Sequence, residues 1–187
     1  DHSGGLPAFL DQGIEILTTR EIWQAACIKL AATLGEEAIE RRFSFREVRV
    51  DRPLPLDGAL IHFHYASHSV PTIGVTVEVD GEKLTLTGDT AGHQTLKEML
   101  EAGVISPERF DFLTGLSRQN KVLVDCGEAL IHGYPQDFLH VPDTRNVILA
   151  HRKDLPPEYE GIFTLARSLQ LFPLKETFEE EKVKEVR

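Results

Sequence analysis

Eight histidines punctuate this sequence, and several stand where a run of strand-forming residues ends. A strand end presents a side chain with small positional error, which is what a hydrolytic metal centre requires of its ligands. The most informative positions are Asp1, His2, His68, Asp89 and His151. Asp89 lies in "LTLTGDT", where an alternating run meets Gly88; the glycine permits a tight bend, so the carboxylate emerges beyond the last ladder residue. His151 closes "NVILAH", a near-continuous apolar run that reads as a buried strand. His68, in "ASHSVPTIG", sits in a connection between two strands. Taken singly, these residues read as a turn former, a satisfied hydrogen-bond partner and a loop residue.

A second group falls between Asp89 and His151. His93, four residues after Asp89, opens a helical stretch and is placed to orient a substrate; Asp125 and Glu128 in "VDCGEALIHG" follow a strand, and His132 comes soon after. A leaving group needs a proton, and histidine delivers one readily near neutral pH. His132 and Asp125 are therefore candidates for proton transfer, with His93 and Glu128 as candidates for substrate binding. The ordinary alternative for each is helix capping or surface polarity. His62 and His64 in "IHFHY" share one strand face, yet no acid stands at a useful offset, so a surface or core-lining role is expected of them.

The elements that must position these residues alternate in type. "GGLPAFLDQG" reads as a short helix, "IEILTT" as a strand, and "TREIWQAACIKLAATLG" as a helix from a Thr cap to Gly35. From "FSFREVRV" through "ALIHFHYAS", "TIGVTVEV" and "EKLTLTGD" the period becomes two, with "VDGEK" closing a hairpin, which predicts a run of antiparallel strands. Helices follow around "HQTLKEMLEAG" and "SPERFDFLTGLS", then strands "KVLVD" and "NVILAH" and a final short pair near "IFTLA" and "LQLFPL". An α/β fold with helices covering sheet faces is expected.

Composition narrows the function. The chain has 187 residues, with no repeat or low-complexity linker, so one domain over 1–187 is expected, with 175–187 as a charged, solvated tail. No apolar run approaches the roughly 20 residues of a membrane span, and a cytoplasmic location with no membrane partner follows as an expectation. Thirty acidic against twenty basic residues give a charge of −10, which disfavours attraction to a polyanion and favours a small anionic substrate held locally. Cys27 and Cys126 form no spaced pair and read as reduced thiols.

Taken together and in order, "DHSGGL", "HSVPTIG", "TGDT" and a strand ending in "AH" resemble the metallo-β-lactamase superfamily, and most nearly its phosphodiesterase branch, which includes ribonuclease Z. That family carries a "HxHxDH" segment, and Asp1-His2 look like its last two residues. The chain then starts inside the first metal motif and covers about two thirds of such a domain. The resemblance implies an αββα sandwich lacking its N-terminal strands. It also implies that Asp1, His2 and His151 hold one metal, that His68 helps to hold a second, and that Asp89 bridges the two. Such ions, roughly 3.5–4 Å apart, share a hydroxide and stabilise charge developing on a phosphoryl oxygen. Zinc is the first expectation, two ions in the complete domain, with manganese or iron compatible.

The expected activity is metal-dependent hydrolysis through a metal-bound hydroxide, on a phosphoric diester or another small anionic ester. The alternative is a metal- or ligand-binding module without turnover, or an inactive fragment of such a hydrolase. RNA is a partner by resemblance only. One departure stands out: the ribonuclease branch carries a "HEA"-like segment where this chain has "DCGEA", so Asp125 takes the place of a histidine. Missing strands would leave a sheet edge and apolar surface open, so homo-oligomerisation is expected.

Overall fold

The computed structural model describes residues 6–9, 12–35, 39, 42–127 and 132–167. A 3-10 turn at Leu6–Phe9 leads into β1 (Glu15–Thr18), α1 (Arg20–Leu34) and β2 (Ser44–Glu47). Strands β3 (Leu54–Leu56), β4 (Ala59–Tyr65), β5 (Ile73–Val79) and β6 (Glu82–Leu86) follow, then α2 (His93–Glu101) and α3 (Pro107–Gly115). β7 (Lys121–Asp125), β8 (Val147–Ala150) and β9 (Thr164–Leu165) complete the described strands.

Seven strands form one mixed sheet in the order β3-β4-β5-β6-β7-β8-β9. The pairings from β3 to β6 are antiparallel, and those from β6 to β9 are parallel. The switch falls where α2 and α3 connect β6 to β7, since parallel neighbours need a crossover long enough for helices. Direction now follows by counting reversals: β4, β6, β7 and β8 all run the same way. Whatever follows these four strands emerges at one edge of the sheet.

The apolar runs read from the sequence supply the core. Val122, Val147 and Leu149 have no exposed surface, and they pack with Val124, Cys126, Val141 and Phe163. Burying each large aliphatic side chain contributes about 1.5–3 kcal/mol, so the two strands that end at Asp125 and just before His151 are the most firmly held part of the sheet. Ala91, Leu96, Leu113 and Leu116 form a second cluster that joins α2 to α3. Ser106 caps α3 by accepting from the Arg109 amide at 3.2 Å, with Pro107 in the first helical position.

One expectation from the sequence is corrected, and two details are added to it. "FSFREVRV" does not begin the antiparallel run: β2 pairs with β1 in a separate two-stranded parallel sheet, in the register Glu15 to Ser44 through Thr18 to Glu47. The physical reason is the intervening α1, a crossover that returns the chain parallel to β1, and Trp23 from that helix stacks on Phe45 at 5.4 Å. Thr19 precedes α1 in an extended conformation, but its buried hydroxyl makes no capping hydrogen bond. β3 was not anticipated, because a three-residue strand containing Pro55 carries no clear alternation. Asp1, His2, Glu128, "LQLFPL" and the tail 175–187 lie outside the described residues.

Candidate metal centre

The shared direction of β4, β6, β7 and β8 brings the chemistry to one edge. His68 lies three residues beyond β4, Asp89 three beyond β6, Asp125 ends β7 and His151 is the first residue after β8. Ligand sites in open α/β sheets form at the carboxyl ends of strands for this geometric reason. The two loops from β4 and β6 are fastened to each other. Ala91 donates its amide to the Ser67 carbonyl at 2.8 Å, and Ser67 donates its amide to the Thr90 hydroxyl at 3.2 Å. Gly88 makes the approach possible, with φ at 67° and the Ile73 carbonyl oxygen 2.8 Å from where a Cβ would stand.

Asp125 organises the group. Its side chain is 2% exposed, and its Oδ2 accepts from the Thr90 amide at 2.9 Å and makes a short hydrogen bond with His132 Nδ1. Its Oδ1 lies 3.0 Å from His151 Nδ1. One buried carboxylate thus holds two imidazoles through their Nδ1 atoms, which directs both Nε2 atoms away from it. The rings of His132 and His151 stand 4.7 Å apart, centre to centre, at 77°. Asp89 Oδ1 is 3.8 Å from His151 Nδ1.

Donor atoms of Asp89, His132 and His151 all lie within 4.8 Å of one another. A carboxylate and two imidazoles are a donor set suited to zinc and to other first-row divalent ions. A carboxylate behind each ring is the usual outer partner of a metal-binding histidine, so the residues present fit a metal ion. His151 adopts φ of 64°, a left-handed conformation costly for a side-chain-bearing residue and found where function constrains the backbone. Its side chain is 46% exposed, so the group opens to solvent.

The sequence singled out Asp89, Asp125, His132 and His151, and the structure brings them together. His68 stands beside them, its ring 6.3 Å from that of His132 and its Nδ1 accepting from the Val70 amide at 3.4 Å. His93 sits elsewhere, its ring against those of Phe110 and His140, and with His140 it lines a cavity of about 40 Å³ that Asp125 and Asp137 also line. Burial, and then the neighbouring His140, lower its pKa. His62 and His64 lie on the other side of α3 in a separate cleft.

Sequence reasoning did not anticipate how tightly His132 joins Asp89 and His151. The signal was present in two glycines. A Cβ on Gly127 would stand 2.6 Å from the His132 ring, and one on Gly133 would stand 2.9 Å from the Asp125 carbonyl oxygen. "DCGEALIHG" therefore needs glycine at both places to fold His132 back onto Asp125. His140, the neighbour of His93, was also not singled out, since nothing local marks it.

The mixed sheet and its helices are those of a metallo-β-lactamase-type fold. Among solved structures, Zn²⁺-bound PqqB from Methylobacterium extorquens is similar at a TM-score of 0.52 with 12% identity, covering 88% of this chain and 63% of that one. The metallo-β-lactamase fold protein YhfI from Bacillus subtilis matches at 0.51 with 13% identity, over 82% of this chain and 62% of that one. The short form of human tRNase Z matches at 0.50 with 13% identity, over 91% and 74%.

Among curated proteins, the cGMP-dependent 3′,5′-cGMP phosphodiesterase A of Dictyostelium discoideum is 30% identical over 148 residues, which is 76% of this chain. The cAMP/cGMP-dependent phosphodiesterase B of the same organism is 26% identical over 148 residues. The chain spans only 17% and 14% of the length of these two relatives. No protein-family model matches the chain. Among the described residues no helix is long and apolar enough to cross a membrane.

Proposed function

We propose that this chain carries the metal centre of a metal-dependent hydrolase that cleaves phosphoric diesters. The observation that supports the reading most strongly is the group of Asp89, His132 and His151 around buried Asp125 at the strand ends. The resemblance of sequence to two cyclic-nucleotide phosphodiesterases supports a phosphoric diester among the substrates such a fold accepts. Zinc is the metal proposed.

Asp89 and His151 would hold the ion, His151 through the Nε2 that its bond to Asp125 leaves available, with Asp1 and His2 as further donors by resemblance. When bound, the ion supplies Lewis-acid polarisation of the phosphoryl oxygen and a nucleophilic water at neutral pH. His132 has its Nδ1 engaged by Asp125, which leaves Nε2 to pass a proton to the departing oxygen. Asp125 is a positioning residue in this scheme, since it holds both rings and touches no substrate. A small anionic substrate suits the exposed face of His151, and self-association of the chain is part of the same proposal.

The test pairs metal content with hydrolysis of bis(4-nitrophenyl) phosphate by the 187-residue chain loaded with zinc. Retained metal with slower turnover in His132→Ala, and a rate that becomes more sensitive to leaving-group pKa, would support the proton role. Loss of metal from that variant would make His132 a ligand instead. Full activity in Asp89→Asn would sink the proposal.

A further inference from the structure

A second concave region lies between β4, β5 and the start of α3, and it shares no lining residue with the metal group. Its volume is about 360 Å³, the size of a small-molecule site, and His62, His64, Thr76, Lys83, Arg109 and Phe112 are among the residues that line it. In a chain of charge −10 this cleft is locally basic.

Arg109 is half-buried, donates to the Tyr65 carbonyl oxygen, and lies 5.6 Å from the centre of the Phe112 ring. Among the described residues no carboxylate pairs with it, and burial lowers its pKa. Withdrawing a guanidinium from water without a counter-ion is costly, and Arg is the side chain best shaped to meet an oxyanion with two parallel hydrogen bonds.

His64 is 5% exposed, and its Nε2 has no hydrogen-bond partner among the described residues. Its ring packs edge-on to Phe112 at 5.7 Å. Gly74 stands opposite it in the register of β4 and β5, and a Cβ there would lie 2.2 Å from Nε2, so the strand gives up a side chain to seat this ring. His62 Nε2 is also buried without a hydrogen bond, although Glu78 Oε2 is 3.4 Å away. The same carboxylate oxygen is 3.6 Å from Lys83 Nζ. Among the described residues the cleft thus holds a cation without a carboxylate partner, Arg109, a second cation shared with Glu78, and a buried imidazole, His64, whose Nε2 makes no hydrogen bond, beside an aromatic wall.

We propose that this cleft is a binding site for a small organic phosphate, with Arg109 as its ion partner, Lys83 as the second cation, and Phe112 against the apolar body of the ligand. One phosphate in the cleft gives Arg109 the anionic partner that it lacks among the described residues. The site is separate from the metal group and does not depend on its chemistry.

The experiment is a titration of the 187-residue chain with phenyl phosphate, followed by the imidazole nitrogen resonances in NMR. The expected result is a saturable shift of the His62 and His64 signals, with affinity reduced tenfold or more in Arg109→Met and unchanged in Asp89→Asn. Lys83→Met, a change at a partly exposed side chain, should weaken binding several-fold and serves if Arg109→Met does not fold. Shifts confined to His132 and His151, an affinity that neither cation variant alters, or no saturable shift at His62 and His64 would each overturn the proposal.

Discussion

His64 and His68 are four residues apart in sequence, yet they belong to regions of opposite electrostatic character. At the strand-end edge the histidines gather around a carboxylate, with His132 and His151 both held by Asp125. In the cleft beside α3, His62 faces Glu78, whereas His64 sits near a guanidinium, and burial together with Arg109 lowers the pKa of His64 to about 4. The first arrangement fixes two rings through their Nδ1 atoms, and the second keeps a ring uncharged next to a guanidinium. The lesson is that the role of a histidine here is set by the charge of the residue behind it. Spacing alone distinguishes the two poorly, since both groups arise from strands and loops rich in histidine.

The largest effect should come from removing the acid at the metal edge. Asp89→Asn is expected to abolish retention of tightly bound zinc and to lower diester hydrolysis by about a thousandfold, the scale on which losing a metal's charge stabilisation acts. Elemental analysis after dialysis, with phenyl phosphate binding as the control, would show whether the two regions are independent. A variant that lost both functions would break the comparison.

Next is the acid response of the cleft. His64 binds its proton less readily when folded than when unfolded, so its contribution is fully present above the unfolded value near 6.5 and is lost as pH falls toward about 4. The loss should reach about 3 kcal/mol by pH 4. Denaturant unfolding of the metal-free chain at a series of pH values should show this limb in the native sequence and a flatter one in His64→Gln. Equal slopes would mean that Arg109 and burial do not control this ring.

Asp125→Asn keeps the size of the side chain but weakens its hold on both rings. Zinc affinity should fall about 10–100-fold, as for other outer partners of metal-binding histidines, and competition with a chromophoric chelator would measure it. An unchanged affinity would remove Asp125 from the centre of the argument. The smallest effect belongs to His62→Ala, which should leave zinc content unchanged because that ring faces Glu78 and the cleft. A lost metal equivalent would merge the two regions into one.

Much of the fold could be read locally. The alternation in "ALIHFHYAS", "TIGVTVEV" and "EKLTLTGD" gave β4, β5 and β6, and the apolar runs before Asp125 and His151 gave the buried strands β7 and β8. The "TGD" bend was legible because Gly88 needs a positive φ. The parallel pairing of β2 with β1 was not, because a four-residue strand looks the same whichever neighbour it joins. Position and neighbour decide that question, and α1 supplies both.

The candidate site was legible in the same uneven way. Asp89, Asp125, His132 and His151 could be named from motifs, as residue types at strand ends. Their separation could not, since donor atoms within 4.8 Å come from segments as far apart as residues 89 and 151. Nor could Arg109 be recognised as a half-buried cation, because α3 looks like an ordinary surface helix until it is packed against β4.

By itself, then, the sequence determined the local conformations: which segments extend or coil, where glycine allows a bend, and which chemically active side chains stand at the ends of strands. Those follow from side-chain period and backbone sterics, which act over a few residues. Only the tertiary structure decided that four like-directed strands deliver their ends to one edge, that one buried aspartate serves two histidines, and that Arg109 comes near His64 with no carboxylate partner among the described residues. These depend on strand order, helix placement and exclusion of water, which are properties of the packed chain.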